Sequence, residues 1–457
     1  IGLQPGDRVL IVSENRPEWC LADLAIMAAG CVTVPTYTTN TTRDHVHILE
    51  NSGARAAIVS SAKLAKTLLP AIVQTDMCRH VVSMEPLNPM QGGTFTHYTS
   101  GTGGAPRGVR QHHGMLLSNV AGAAQIIQED FGWSEDETFL SFLPLSHAYE
   151  HTGGQFLPIG LGAVVLGHDL HRRAEGLDKL AANIEETRPT IMVVVPRLFE
   201  VLRTRIIKQI EKQGSTAKRL LDTAMGIAER KEEGRRRLLD YPLNLLVERT
   251  LRPKVRARFG GRIKALVSGG APLNPEIGSF FDAMGLTLLQ GYGQTEAGPI
   301  ISCNRPAAGV KFDTVGPPMR GVDVCIAEDG EILVQGELVM SGYWQNEAAS
   351  ANVLRFETGS GTWLHTGDIG HFDEKGRICI TDRKKDLIVN DKGDNVSPQK
   401  VESMLTLQPE IAQAMVSGDR RPYIVGLIVP DPEWMQQWAS DNGKSAEISK
   451  LRDDSEF

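Results

Sequence analysis

Between residues 98 and 109 the chain reads Tyr98-Thr-Ser-Gly-Thr-Gly-Gly-Ala-Pro-Arg-Gly-Val109, which packs three aliphatic hydroxyls, four glycines and one fixed cation into a single short run. Glycines let backbone N–H groups turn inward and approach a ligand closely. The hydroxyls of Thr99, Ser100 and Thr102 can donate to phosphate oxygens, and Arg107 adds charge. This chemistry suits a polyphosphate. A Walker loop needs a glycine five residues after its first and then lysine; from Gly101 that place holds Pro106, and from Gly103 the glycine arrives at Gly108 but Val109 follows. Nor is there a G-x-G-x-x-G, because Pro106 stands where the third glycine belongs, so the dinucleotide fingerprint is absent. A second constellation, Gly291-Tyr-Gly-Gln-Thr-Glu296, puts an aromatic, a hydroxyl and a carboxylate together. Tyr292 can stack on a purine, Thr295 can reach a phosphate and Glu296 can hold Mg²⁺. In a third, Ser268-Gly-Gly-Ala271, the small residues Gly269, Gly270 and Ala271 let a flat ring or an acyl chain lie against backbone.

Such residues need a scaffold that delivers them to one edge. Short apolar runs alternate with helical periodicity along the first two hundred residues: strands at 9–12, 32–34 and 56–59, helices at 17–29 and 43–51. This predicts a doubly wound α/β arrangement, in which ligands sit beyond the carboxyl ends of strands. Further buried strands are expected at 191–195, 264–267 and 286–289, the last leading straight into Gly291. After residue 310 the texture changes. Runs at 322–326, 332–334 and 338–340, with a turn at Asp329-Gly330, predict a small antiparallel barrel.

With 41% hydrophobic and 23% charged residues and a formal net charge of -7, the composition fits a folded enzyme. No apolar run approaches bilayer-spanning length, so no membrane span is expected. The six cysteines are scattered without a C-x-x-C pair, which argues against a zinc knuckle or a disulfide framework and for a reducing cytoplasm. His112 and His113 are adjacent and therefore point apart, so they receive no metal. Basic residues accumulate from 217 to 264, Arg235, Arg236 and Arg237 among them. Interleaved acids and the scarcity of aromatics argue against nucleic acid and for a solvated helical face. Anionic lipid headgroups are the alternative partner. A chain of 457 residues exceeds one compact core, so at least two domains are expected. Because it begins at Ile1 without a methionine, trimmed ends are expected too.

The loop at 98–109 resembles the phosphate loop of the adenylate-forming superfamily of acyl-CoA synthetases, luciferases and peptide-synthetase adenylation domains, usually written Y-T-S-G-T-T-G-x-P-K-G-V. Gly103 replaces its second Thr and Arg107 its Lys. The resemblance implies ATP/AMP binding by Thr99, Ser100, Gly101, Thr102, Gly103, Gly104, Arg107, Gly269, Gly270, Ala271, Gly291, Tyr292, Gly293 and Thr295, with Thr99 and Glu296 at the metal. Trp363-Leu-His-Thr-Gly-Asp368 and Asp382-Arg-Lys-Lys-Asp386 are similar to the segments that hold the ribose, Asp368 accepting from its hydroxyls and Arg383 donating. Phe142-Leu-Pro-Leu-Ser-His147 resembles the segment whose histidine lies against the acyl carboxylate. The implied catalytic set is His147, Thr102, Arg107 and Glu296.

By position Lys385 matches the hinge of a small mobile carboxy-terminal domain, and Gly393, Asp394 and Asn395 match the loop that enters for the thioester step. The implied organisation is an adenylation domain over 1–384, its barrel portion about 310–384, followed by an α+β domain over 385–457, fewer residues than that domain normally has. The family's late lysine finds no match, since Lys444 lies in Ser440-Asp-Asn-Gly-Lys-Ser445 without the flanking pattern. The likeness runs along the whole chain and is nearest to bacterial long-chain fatty-acid–CoA ligases, through His147-Ala-Tyr-Glu-His-Thr-Gly-Gly-Gln-Phe156 and the segments 268–306 and 393–431. It implies a ligase using ATP, Mg²⁺ and coenzyme A, cytoplasmic or peripheral to the inner membrane face, with a homodimer as one assembly. An aryl-acid ligase, a degenerate ATP- or acyl-binding protein and transfer to a carrier protein remain as alternatives.

Overall fold

Four parallel strands open the chain: β1 (Arg8–Val12), β2 (Val32–Thr36), β3 (Ala56–Val59) and β4 (His80–Ser83), in the order β2-β1-β3-β4. Leu10, Ile11 and Val12 are wholly buried, as expected of a strand covered on both faces. Local signals set the helices between them. Pro17 starts Pro17–Ala28 at a position where its missing N–H costs nothing. Thr41 and Asp44 form a reciprocal capping box ahead of Thr42–Ser52, which stops where Gly53 turns left-handed at φ 61°. The Arg8 side chain then donates to the carbonyls of Ser52 and Gly53, tying that helix end to β1.

The computed structural model describes residues 2–85, 107–134, 136–167, 176–232, 234–235, 237–357, 361–384, 388–389, 395–408, 410–452, 454 and 456–457. A second sheet holds β5 (Thr138–Ser141), β6 (Val164–Gly167), β7 (Ile191–Val194), β8 (Ala265–Ser268), β9 (Leu288–Gly293) and β10 (Ile300–Cys303), in the order β10-β9-β8-β7-β5-β6. All its pairings are parallel except β10 on β9. Phe199, Phe280 and Phe281 pack edge to face within its core. Both sheets have the doubly wound character that the alternating pattern predicts. Within the second, the run predicted at 286–289 starts two residues later and extends through Gly293, so half of the Gly291–Glu296 motif is strand rather than loop.

Residues 323–383 build a third sheet from β11 (Asp323–Ile326), β12 (Glu331–Gln335), β13 (Leu354–Glu357), β14 (Gly361–Phe372) and β15 (Ile378–Arg383), in the order β11-β12-β14-β13 with β15 on β14. The strand expected at 338–340 does not form. Leu338 lies in a turn after Gly336, whose φ of 144° favours glycine, and the Val339 N–H donates back to the Gly336 carbonyl. The last part of the chain adds two hairpins, β16 (Ile388–Val389) with β17 (Asn395–Val396) and β18 (Ile411–Ser417) with β19 (Val425–Pro430), and the helices Pro398–Leu405 and Pro432–Asp441. The chain divides into two compact units, Ile1–Cys325 with Leu333–His365 and Phe372–Ile378, and Ile326–Ile332 with Thr366–His371 and Cys379–Phe457.

Candidate active site

In the first unit the chain leaves the Gly-rich loop at Arg107 and at once pairs with a distant segment. Val109 forms an antiparallel bridge with Tyr343. The Trp344 N–H donates to the Gly108 carbonyl at 2.7 Å, the Arg110 N–H to Gly342 at 3.0 Å and the Ser341 N–H to Arg110 at 3.1 Å. This zipper brings together three side chains. The Tyr343 hydroxyl donates to Glu296 Oε1 at 2.7 Å, and the Arg107 guanidinium lies 5.5 Å from the centre of the Tyr343 ring. Burial and the Glu296 carboxylate push the Tyr343 phenol up to about 12, against the opposing influence of Arg107, so it stays a donor at physiological pH. The Gln111 amide donates to the Thr295 carbonyl at 2.9 Å, fixing the other side of the loop exit to the Thr295–Ala297 turn. Thr99, Ser100, Gly101, Thr102, Gly103 and Gly104 lie outside the described residues.

Strand β9 carries Gly291, Tyr292 and Gly293 to this point, with Tyr292 buried. At Gly293 a Cβ would run into the Pro299 carbonyl, so glycine is required by the tight return into β10. Gly269 has a similar reason. The Tyr149 ring lies where a side chain would go, 2.9 Å from an added Cβ, and the Tyr149 hydroxyl donates to the Val267 carbonyl at 2.8 Å. Gly270 differs, with φ at 81° and open space where a Cβ would point. Among the described residues only Oε1 of Glu296 meets a protein donor. A carboxylate oxygen joined by phosphate oxygens and water is a donor set that Mg²⁺ takes, so the residues fit magnesium brought in with ATP.

The second unit holds the other predicted pair. Asp368 is buried, and its Oδ1 accepts from Arg383 Nε at 3.0 Å, while the Arg383 side chain is more than half exposed. Beneath them sits a residue that sequence reasoning missed. Glu331, itself buried, accepts the Gly367 N–H at 2.9 Å through Oε1 and meets Lys384 Nζ at 3.2 Å through Oε2. The Lys384 N–H closes the loop on the Gly367 carbonyl at 2.9 Å. Glu331 thus fastens Gly367 of β14, next to Asp368, to the end of β15 that carries Arg383. Its only sequence signal is a carboxylate directly after the Asp329-Gly330 turn. For Tyr343 the signal is an aromatic pair, Tyr343-Trp344, after a glycine. Lys385, Gly393 and Asp394 lie outside the described residues, and the Asn395 backbone is in β17.

Residues 1–344 match the AMP-binding enzyme family, which is three quarters of the chain and includes Arg107, Glu296 and Tyr343. The chain belongs to the AMP-binding enzyme family. It is 33% identical to the long-chain-fatty-acid–CoA ligase FadD15 of Mycobacterium tuberculosis, over 98% of this chain and 77% of that protein. It is 29% identical to the peroxisomal long chain acyl-CoA synthetase 7 of Arabidopsis thaliana, over 97% of this chain and 67% of that one. Its fold matches that of the o-succinylbenzoate coenzyme A synthetase MenE of Bacillus subtilis in complex with AMP with a TM-score of 0.67 at 23% identity, covering 94% and 79% of the two chains. The fold is that of the adenylate-forming enzymes.

Two other positions of this AMP-binding enzyme bear on its site. His147 follows β5 on a stretch that Asn15 clamps, its amide donating to the Leu143 carbonyl and its carbonyl accepting from the Leu145 N–H. Its Nδ1 accepts from the Tyr149 N–H at 3.2 Å, which leaves the ring proton on Nε2. The ring is exposed at one edge, yet enough protein surrounds it for desolvation to lower its pKa. The following His147–Phe156 segment contains a π-helical turn, His151–Phe156, a geometry frequent at functional sites. Buried Asp23 holds that turn, accepting from Gln155 Nε2 at 2.8 Å and meeting His151 Nε2 at 2.9 Å. Lys444 pairs with Asp454 at 2.8 Å and Glu456 at 2.7 Å, with Trp438 against its head, so it is occupied within its own unit.

Proposed function

We propose that the protein is an AMP-forming ligase that activates a long-chain fatty acid on ATP and transfers it to coenzyme A. The observation that carries this reading is the meeting of Arg107 and Glu296 on Tyr343 at the exit of a Gly-rich loop. A cation and a carboxylate meeting there, in a chain whose relatives are named long-chain ligases, supports the holding of a magnesium-bound polyphosphate at this point. A fatty carboxylate oxygen attacks the α-phosphorus, the bond to the bridging oxygen breaks, and pyrophosphate leaves with both electrons of that bond. The thiolate of coenzyme A then attacks the acyl carbon and AMP departs. Magnesium bound to ATP neutralises phosphate charge. The chain's own part is positioning and electrostatic stabilisation.

In this reading Thr99 to Gly104 and Arg107 cradle the phosphates. Glu296, with Thr99, holds the magnesium, Thr295 reaches the α-phosphate and Tyr292 stacks on adenine. Gly270 and Ala271 give the ring its floor, and Asp368 and Arg383 take the ribose. His147 turns its Nε2–H toward the acyl carboxylate, a neutral donor that leaves the carboxylate nucleophilic. Residues 385–457 move about Lys385, and Gly393, Asp394 and Asn395 enter for the thioester step.

The test is acid-dependent ATP–pyrophosphate exchange with palmitate, octanoate and benzoate. Palmitate is expected to support the fastest exchange. Benzoate alone supporting it would move the reading to an aryl acid, and silence with every acid despite ATP binding would overturn it.

A peripheral contact with anionic lipid is supported by helix Asp240–Thr250. Its inward face buries Asp240 and Val247, yet its outward face presents Tyr241, Leu245 and Leu246 next to Leu238 and Leu239, which are 89% and 71% exposed. The acids of this helix are engaged, Asp240 by Arg230 and Glu248 by Arg252 and Arg256, and the exposed Arg237 and Arg249 lend the face positive charge. A homodimer through this face would set those arginines against their copies, whereas a negative bilayer attracts them. Sedimentation with phosphatidylglycerol vesicles should capture the protein and phosphatidylcholine vesicles should not. Leu245→Ser with Leu246→Ser is expected to reduce capture about ten- to a hundredfold, the loss of two half-exposed leucines from the lipid contact. Equal capture on both lipids, or none, would remove this contact.

A further inference from the structure

We propose that Tyr343 is a positioning residue that presents Glu296 to the magnesium of ATP and couples that carboxylate to Arg107. The inference rests on the nucleotide-binding part of the reading above and adds a residue to it. A purely structural tyrosine would bury its ring and leave its hydroxyl to solvent or backbone. Here the hydroxyl is spent on one carboxylate oxygen, 2.7 Å away, and the ring face meets the loop's only cation. The backbone around it admits little freedom. The Tyr343 N–H donates to Ser350 Oγ at 2.8 Å, and the Trp344 indole N–H donates to the Asn51 carbonyl at 2.8 Å. The pairing with 108–110 fixes the backbone of 341–344 as well. The phenol therefore aims from a rigid base, and by occupying Oε1 it selects which carboxylate oxygen faces the phosphates. A charge-assisted bond of this kind is among the stronger single contacts available to a side chain.

Tyr343→Phe separates the hydroxyl from everything else, because the ring, its contact with Arg107 and the backbone pairing all remain. The experiment is calorimetric binding of ATP with magnesium and with EDTA to the full chain. The wild type is expected to bind magnesium-ATP more tightly than ATP alone, and Tyr343→Phe to lose about ten- to a hundredfold of that gain, in keeping with one hydrogen bond to a charged group. Binding without magnesium should be unchanged, which a general loss of structure would not allow. A double-mutant cycle adds the second arm. In a Glu296→Gln background, Tyr343→Phe should change the magnesium-dependent gain no further. An unchanged gain in Tyr343→Phe, an equal loss with and without magnesium, or additive losses in the cycle would each overturn the role. So would a wild type that gains nothing from magnesium. Binding is read without any acid substrate, so failure of the exchange assay overturns the ligase reading and leaves this test standing.

Discussion

Glu296→Gln lowers palmitate-dependent ATP–pyrophosphate exchange by about a hundred- to a thousandfold, the scale seen when one preorganised electrostatic group is removed from a transition state. The substitution keeps an oxygen that accepts from the Tyr343 hydroxyl, so the zipper between 108–110 and 341–344 survives. Only the charge is lost. Pyrophosphate departs as a highly charged group, and a metal held by a neutral amide is held weakly, so the loss appears mainly in kcat at saturating ATP and less in the binding of metal-free ATP. Exchange kinetics over a range of magnesium concentrations measure this. Exchange within a few-fold of wild type would remove Glu296 from the chemistry.

Glu150→Gln gives the largest expected effect on stability, and its size depends on pH. Glu150 is wholly buried and neither carboxyl oxygen meets a hydrogen-bond partner. Burial raises its pKa to about 8, against the smaller opposing pull of the Ser141 hydroxyl and Phe142 amide close by. The native chain therefore keeps a proton there that the unfolded chain releases near the ordinary value of 4.5. Between those two pH values the native state binds more protons than the unfolded one, so stability falls as pH rises and levels off above about 8. Glutamine titrates in neither state and removes that slope. Relative to its own difference at pH 5, the variant should gain on the order of 4 kcal/mol over wild type by pH 8. Urea unfolding at pH 5, 6.5 and 8 reads the two slopes, and parallel curves would show that Glu150 is charged when folded.

The candidate residues are legible in the sequence because they lie in contiguous motifs. Gly291–Glu296 and Trp363–Asp368 each carry their candidate side chains within a few residues, and strand-helix alternation announces the two parallel sheets. Residues that act through partners far along the chain were not legible. Tyr343 acquires its meaning from Glu296 and from the bridge it forms with Val109, and Glu331 from Gly367 and Lys384. At Gly269 the structure adds a reason for glycine that the sequence does not carry, the Tyr149 ring lying where a side chain would go. At 338–340 three apolar residues looked like a strand, but the left-handed demand of Gly336 turns the chain there instead. The exposed leucines at 238–246 sit inside a run whose charges had suggested an ordinary solvated face.

The bond from Arg110 to the Ser341 carbonyl joins residues 231 positions apart. A contact of that span closes a very large loop and comes after the local helices and neighbouring strands have formed. Neither sheet by itself can assemble the place where Arg107, Glu296 and Tyr343 meet. A chain emerging during synthesis, or one with residues beyond 340 detached, can hold both sheets and still lack this meeting place. If the place holds ATP as proposed above, ATP acts as a proofreader of completed folding, stabilising only molecules in which the two ends of this long loop have found each other.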